Sequence, residues 1–167
     1  MDTDHRRPID APPLRLVVGA SAGGHANELL ILLDAARGQW PVEPAAYVTT
    51  MDITAQGFAR RGKPVHVVGE SDRRKPLQAI AVLYRSLRLA RALRPDVVVT
   101  TGSMPLALFS LWCKLLGARI VWIDSVAQIE RMSLSGRVMR HAADLCLAQW
   151  PEVAAKYPGV EYAGEVL

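Results

Sequence analysis

The sequence predicts an α/β domain, a Rossmann-like doubly wound parallel sheet, and three observations carry that prediction. Short β-branched runs alternate with helix-period segments along nearly the whole chain. Runs such as Val97–Thr100 and Ile120 to Ile123 are apolar on both faces, and a glycine-rich turn follows the first run. Strands that are apolar throughout and separated by helices require a parallel sheet covered on both sides.

In order, residues 14–18 read as the first strand and 28–36 as the first helix. Strand 45–49 with helix 53–60, and strand 65–68 with helix 77–93, continue the alternation. Strand 96–100 precedes helix 105–116; strand 119–123 precedes a turn and a helix at 136–141; strand 145–147 precedes helix 152–156. Pro95 and Asp96 stop the third helix, Pro105 is placed to open the fourth, and Gly117 follows it. Residues 1–13 are polar and read as a disordered leader, which leaves 14–167 as a single domain. The apolar ending, Tyr162-Ala163-Gly164-Glu165-Val166-Leu167, is expected to meet a partner.

Composition excludes several classes. With 167 residues, half of them hydrophobic, the chain can bury a continuous core and is not a disordered or fibrous sequence. The longest apolar window, 104–116, is shorter than the roughly 20 residues a bilayer-crossing helix needs. The two cysteines, Cys113 and Cys146, lie in apolar stretches without metal-ligand spacing, so they read as buried thiols of a reduced compartment. The net charge of +4 suits an anionic partner, but few aromatics and no nucleic-acid motif argue against nucleic acid. No cofactor or metal site is expected.

In open parallel sheets ligands gather at the carboxyl ends of the strands, so the loop Gly19-Ala20-Ser21-Ala22-Gly23-Gly24-His25 is the first candidate. Glycines there expose backbone N–H groups at a helix N-terminus, which suits a phosphate or diphosphate. The loop lacks the Lys-Ser/Thr of a P-loop and the second glycine of a dinucleotide fingerprint. His25 stands in the first helical turn, where it serves either as a general base or as a capping or packing residue. Later strands end in Thr49-Thr50-Met51-Asp52, Gly69-Glu70-Ser71-Asp72, Thr101-Gly102-Ser103 and Asp124-Ser125. Of these, Gly102 and Ser103 open a second helix and offer an N–H and a hydroxyl to the same anion, although N-capping would also explain Ser103.

Seven cations, Arg73, Arg74, Lys75, Arg85, Arg88, Arg91 and Arg94, are interleaved with Leu77, Ile80, Leu83, Tyr84, Leu87 and Leu93. Such a basic amphipathic helix fits either an anionic membrane surface or a core-facing stripe with a solvated basic face.

The last third of the chain carries the most specific signal: Val121-Trp122-Ile123-Asp124-Ser125, Met132-Ser133-Leu134-Ser135-Gly136-Arg137, Ala143-Asp144, Ala148-Gln149-Trp150-Pro151-Glu152, and Tyr157-Pro158 with Tyr162-Ala163-Gly164. Together with the loops at 21–25 and 101–105, these resemble the membrane-recruiting subunit of the two-part N-acetylglucosaminyltransferase of dolichol-linked oligosaccharide synthesis. Bacterial relatives of that subunit act in capsule and exopolysaccharide assembly. The resemblance implies the N-terminal, acceptor-binding half of a GT-B glycosyltransferase, a non-autonomous enzyme subunit. A separate small subunit would bind the UDP-sugar, across a shared cleft from a polyprenyl-diphosphate-linked sugar.

The glycine-histidine loop also resembles the acceptor-diphosphate loop of the enzyme that makes lipid II. That resemblance implies Gly23, Gly24 and His25 at the acceptor diphosphate and a base role for His25; with the strand-end loops, Ser21, Gly102 and Ser103 are expected at the same diphosphate and Asp124 and Ser125 in the acceptor cleft. The eukaryotic subunit has an N-terminal membrane helix, of which no counterpart is expected here. The basic helix, through Arg73, Arg74, Lys75, Arg85, Arg88 and Arg91, is therefore expected to hold the protein peripherally on the cytoplasmic face of the cell membrane. Gln128 stands where many relatives carry Arg, with Arg131 as a nearby substitute. A non-catalytic scaffold for the partner and a nucleotide-dependent oxidoreductase, with Asp52 on a ribose, are the alternatives.

Overall fold

The computed structural model describes residues 13–71 and 76–164. Most of the expected leader, the cations Arg73, Arg74 and Lys75, and the last three residues of the apolar ending lie outside them. The elements are β1 (Leu16–Ala20), α1 (Gly24–Ala35), β2 (Ala46–Thr49), α2 (Asp52–Ala59), β3 (Val65–Val67), α3 (Pro76–Leu93), β4 (Val97–Thr100), α4 (Met104–Leu115), β5 (Arg119–Ile123), α5 (Leu134–Met139), β6 (Leu145–Ala148), α6 (Pro151–Lys156) and β7 (Glu161–Tyr162).

The seven strands form one parallel sheet in the order β3-β2-β1-β4-β5-β6-β7. This is the doubly wound arrangement the alternating pattern predicts, and its order reverses between β1 and β4. The two faces follow from the period of two along each strand. Leu16, Val18 and Ala20 point with Tyr47, Val99 and Ile123 into a core closed by Ala26, Leu29 and Leu33 of α1 and Phe58 of α2. Val17, Val48, Val98, Ile120 and Trp122 point the other way, into a core closed by Leu106, Phe109 and Cys113 of α4, Met139 of α5 and Val153 of α6.

Two elements depart from the sequence expectation. Helix α1 begins at Gly24, four residues before the expected start, because Gly23 (φ 79, ψ −136) turns the chain directly out of the strand loop into the helix. That backbone region is essentially restricted to glycine. Helix α3 turns Val82, Ser86 and Ala90 to the core, whereas Leu77, Ile80 and Tyr84 are 80%, 62% and 60% exposed. Small side chains at spacing i, i+4, i+8 let α3 lie closely on α4. The larger apolar residues near its start therefore form a surface stripe rather than the core face.

Candidate active site

The reversal of strand order opens a crevice at the carboxyl ends of β1 and β4, the place where such sheets bind ligands. The loops that end in Gly23 and Ser103 form its two lips. They are tied together: the Thr101 backbone N–H donates to the Gly19 carbonyl at 3.1 Å, and the Thr101 hydroxyl donates to the His25 carbonyl at 2.7 Å. The Ala22 N–H reaches the Thr50 hydroxyl at 3.4 Å, joining the end of β2 to the same rim.

Two adjacent hollows occupy this crevice. The larger, about 1110 Å³, takes in Ser21, Thr50, Asp52, Glu70, Arg85 and Ser103 among its lining residues. The smaller, about 370 Å³, is lined by His25, Gly102, Ser103, Ser125, Gln128 and Ser133 among others. Ser103 belongs to both. It is the N-cap residue of α4, yet its side chain makes no capping bond, and its Oγ is buried without a hydrogen-bond partner. The capping explanation for Ser103 therefore does not hold, and its hydroxyl is unspent within a residue that lines both hollows.

Gly102 has a packing reason of its own. A Cβ there would lie 2.1 Å from Trp122 Cη2, so the glycine lets the buried indole sit under the β4 loop. Gly24 differs, since nothing lies within 4 Å of a Cβ placed on it, and its approach is open.

Asp124 is buried and committed. Its Oδ2 accepts the Ser133 backbone N–H at 2.9 Å and its Oδ1 the Ser133 hydroxyl at 2.6 Å, while Ser133 Oγ accepts the Gly136 N–H at 2.8 Å. Asp124 thus fixes the turn that puts Ser133 and Ser135 on the wall of the smaller hollow. Gln128 lines that hollow, whereas Arg131 is exposed.

The residue that sequence reasoning missed is Glu28. It is 2% exposed. Its Oε1 accepts from the Ser125 hydroxyl at 3.1 Å and the Val126 N–H at 3.3 Å, and its Oε2 from Gln149 Nε2 at 3.4 Å. Oε2 also lies 3.9 Å from His25 Nδ1. The expected helix started at Glu28, a position that by itself marks no site. The His25-x-x-Glu28 spacing, which puts both on one helical face, was the available signal.

Arg85, expected on the membrane surface, is exposed and also lines the larger hollow beside Gly69, whose missing side chain leaves room for the guanidinium. Arg88 stacks over the Tyr84 ring at 5.9 Å. Arg91 is exposed in the last turn of α3. Neither cysteine is a nucleophile candidate. Burial pushes both thiols up to about 12, with the Asp124 carboxylate adding to the effect at Cys146.

Comparison with known proteins decides the family. Residues 60–166, well over half of the chain, match the family described as "Oligosaccharide biosynthesis protein Alg14 like". The chain belongs to the Alg14-like family. Among curated relatives, the mouse UDP-N-acetylglucosamine transferase subunit ALG14 is 27% identical over 92% of this chain and 83% of its own length. The ALG14 subunit of Yarrowia lipolytica is 26% identical over 95% of this chain and 83% of its own length.

Among solved structures, Acinetobacter baumannii MurG superposes with a TM-score of 0.68 at 14% identity, covering 90% of this chain and 44% of MurG. The UDP-GlcNAc 2-epimerase of Methanocaldococcus jannaschii gives 0.67 at 12% identity, covering 91% of this chain and 46% of the epimerase. This Alg14-like chain thus spans less than half of either structure, and it has the fold of one Rossmann-like half of a GT-B protein. The glycine-rich loop at 19–25 precedes the residues matched by the family.

Proposed function

We propose that this chain is the acceptor-binding subunit of a split UDP-N-acetylglucosamine transferase, working with a separate subunit that binds the nucleotide sugar. The observation that carries the reading is His25 on the wall of the smaller hollow, next to an unspent Ser103 hydroxyl and an open glycine turn at the strand-order reversal. The acceptor is a polyprenyl-diphosphate-linked sugar. Its diphosphate rests on the N–H groups of Gly23 and Gly24 at the start of α1, with Ser21 on the same lip and Gly102 and Ser103 on the facing one. Arg85 supplies a cation at the edge of the larger hollow.

In the reaction the acceptor hydroxyl oxygen bonds to the anomeric carbon of N-acetylglucosamine. The bond from that carbon to the diphosphate oxygen breaks, and UDP leaves with the electron pair. The hydroxyl proton passes to His25, which later yields it to water. Ser125, held by Glu28, and the Asp124-fixed turn frame the acceptor sugar. A single Rossmann-like wall orients one reactant only, so transfer needs the second subunit to close the cleft.

Membrane contact completes the reading. No helix among the described residues is long and apolar enough to cross a membrane. Leu77, Ile80 and Tyr84 form an exposed apolar stripe, with Arg88 stacked on the tyrosine, along the helix that also borders the larger hollow. Peripheral docking by this stripe on the cytoplasmic face leaves the polyprenyl tail in the bilayer and brings the diphosphate to the crevice.

His25→Ala in the two-subunit complex tests the proposal. Turnover should fall by about 10² to 10⁴, the usual worth of general-base assistance, while acceptor KM stays within about twofold of the parent. Full turnover at saturating acceptor would remove the base from this chain and reduce the chain to a scaffold for its partner.

A further inference from the structure

We propose that Glu28 is a positioning residue for the transfer reaction, holding the His25 imidazole with its proton on Nδ1 so that Nε2 faces the acceptor as a bare lone pair. This rests on the reading of His25 as the base. It starts from two incomplete groups that face one another. Among the described residues His25 Nδ1 is buried without a hydrogen-bond partner, and Glu28 Oε2, 3.9 Å away, accepts the 3.4 Å contact from Gln149. A carboxylate oxygen offers two lone-pair positions, so Oε2 has one open toward the ring.

The Nδ1 side of the ring is buried while the side chain keeps 27% exposure and lines the smaller hollow, which puts the Nε2 edge on the hollow. Closing the gap to a hydrogen bond needs a movement of under about 1 Å, well within the tightening expected when a substrate fills the site. A nearly fully buried carboxylate is costly unless paired. Among the described residues, His25 is the cationic-capable group within ion-pair distance of it. The same carboxylate also accepts from Ser125 and Val126, so one group sets both the base and the loop that frames the acceptor.

Glu28→Gln probes this with little change of volume. The obligatory Val126 N–H claims the amide oxygen at the Oε1 position, so the NH₂ group stands where Oε2 was and faces Nδ1. A donor there selects the other tautomer, with the proton on Nε2 and no lone pair for the acceptor hydroxyl.

The first measurement is ¹⁵N NMR of the histidine rings in the parent chain, with His25 assigned by its absence from His25→Ala, at a pH where imidazole is neutral. The expected result is an Nδ1-protonated His25, the minority tautomer of free histidine. An Nε2-protonated ring in the parent overturns the proposal, whatever the variant does. In Glu28→Gln the proton should move to Nε2, and in the two-subunit complex kcat should drop by about 10² to 10⁴ with acceptor KM within about twofold. His25→Ala with Glu28→Gln should lose no more than His25→Ala alone, because the two residues act as a unit. Parent-like kcat in Glu28→Gln, or losses that multiply in the double variant, would refute the positioning role. Full activity of His25→Ala would instead refute the base reading, and the tautomer measurement, which needs no turnover, separates the two failures.

Discussion

Three glycines at the crevice look alike in sequence and should behave differently when each is changed to alanine. At Gly102 a new Cβ would lie 2.1 Å from Trp122 Cη2 and 2.4 Å from Cζ3. The indole is 0% exposed, so it must retreat by about 1.3 Å to reach the 3.4 Å of ordinary contact, and it has no solvent to retreat into. Overpacking of this kind costs about 1–3 kcal/mol, and a rigid ring belongs at the upper end. At about 2–4 °C per kcal/mol for a chain of this size, Gly102→Ala should lower Tm by roughly 6–12 °C.

Gly23→Ala meets no atom within 4 Å but forces alanine to φ +79, at a cost of about 1–3 kcal/mol. Gly24→Ala has neither problem and should melt within about 2 °C of the parent, since it extends a helix start into open space. In the two-subunit complex, however, Gly24→Ala should raise acceptor KM several-fold, because its methyl group occupies the path of the diphosphate. Thermal melts followed by circular dichroism, with urea titrations as a check on m, provide the assay. A Gly102→Ala midpoint within 2 °C of the parent, or equal losses at all three positions, would refute the division of labour among them.

Asp144 offers a pH test. Burial alone would raise its carboxyl, but the Lys114 ammonium at 2.7 Å, the Ile120 N–H at 2.8 Å and the Arg119 guanidinium at 3.2 Å hold it below the usual carboxylate range. A depressed folded value means stability that is complete above the unfolded pKa of about 3.9 and lost as pH falls through the folded value. Asp144→Asn should therefore cost about 1 kcal/mol at pH 7, discounted for the exposure of Lys114, and the gap should shrink below about pH 4; an equal gap at pH 3 and pH 7 would contradict it. For the membrane stripe, Ile80→Ser with Arg88→Glu should release the chain from anionic vesicles, and added salt should weaken parent binding, each cation near the surface being worth about 1 kcal/mol. Equal pelleting of parent and variant, with neutral as with anionic lipid, would remove lipid from the mechanism.

Much of the fold was legible because its signals are local. Runs such as Val97–Thr100 must be buried on both faces, and Pro95, Pro105 and Gly117 punctuate the helices around them. The lips of the crevice were legible for the same reason, since small residues at strand ends mark where a parallel sheet binds. What was hidden depended on tertiary direction. Glu28 and Gln149 are far apart in the chain and meet only because α1 packs beside the ends of β5 and β6. For Leu77, Ile80 and Tyr84 the pattern left a membrane-facing and a core-facing stripe open, and the choice between them depended on Ser86 and Ala90 taking the inner face of α3. That Arg85 borders the hollow became visible only with Gly69 beside it. The packing role of Gly102 likewise required the position of Trp122, twenty residues further along the chain.

The most direct measurement is transfer of labelled N-acetylglucosamine from its UDP donor to a polyprenyl-diphosphate-linked sugar, with this chain alone, with the donor-binding subunit alone, and with both. Labelled lipid product is expected only in the third mixture, because each Rossmann-like wall orients one reactant and neither closes the cleft alone. Robust turnover by either protein by itself would contradict the split site.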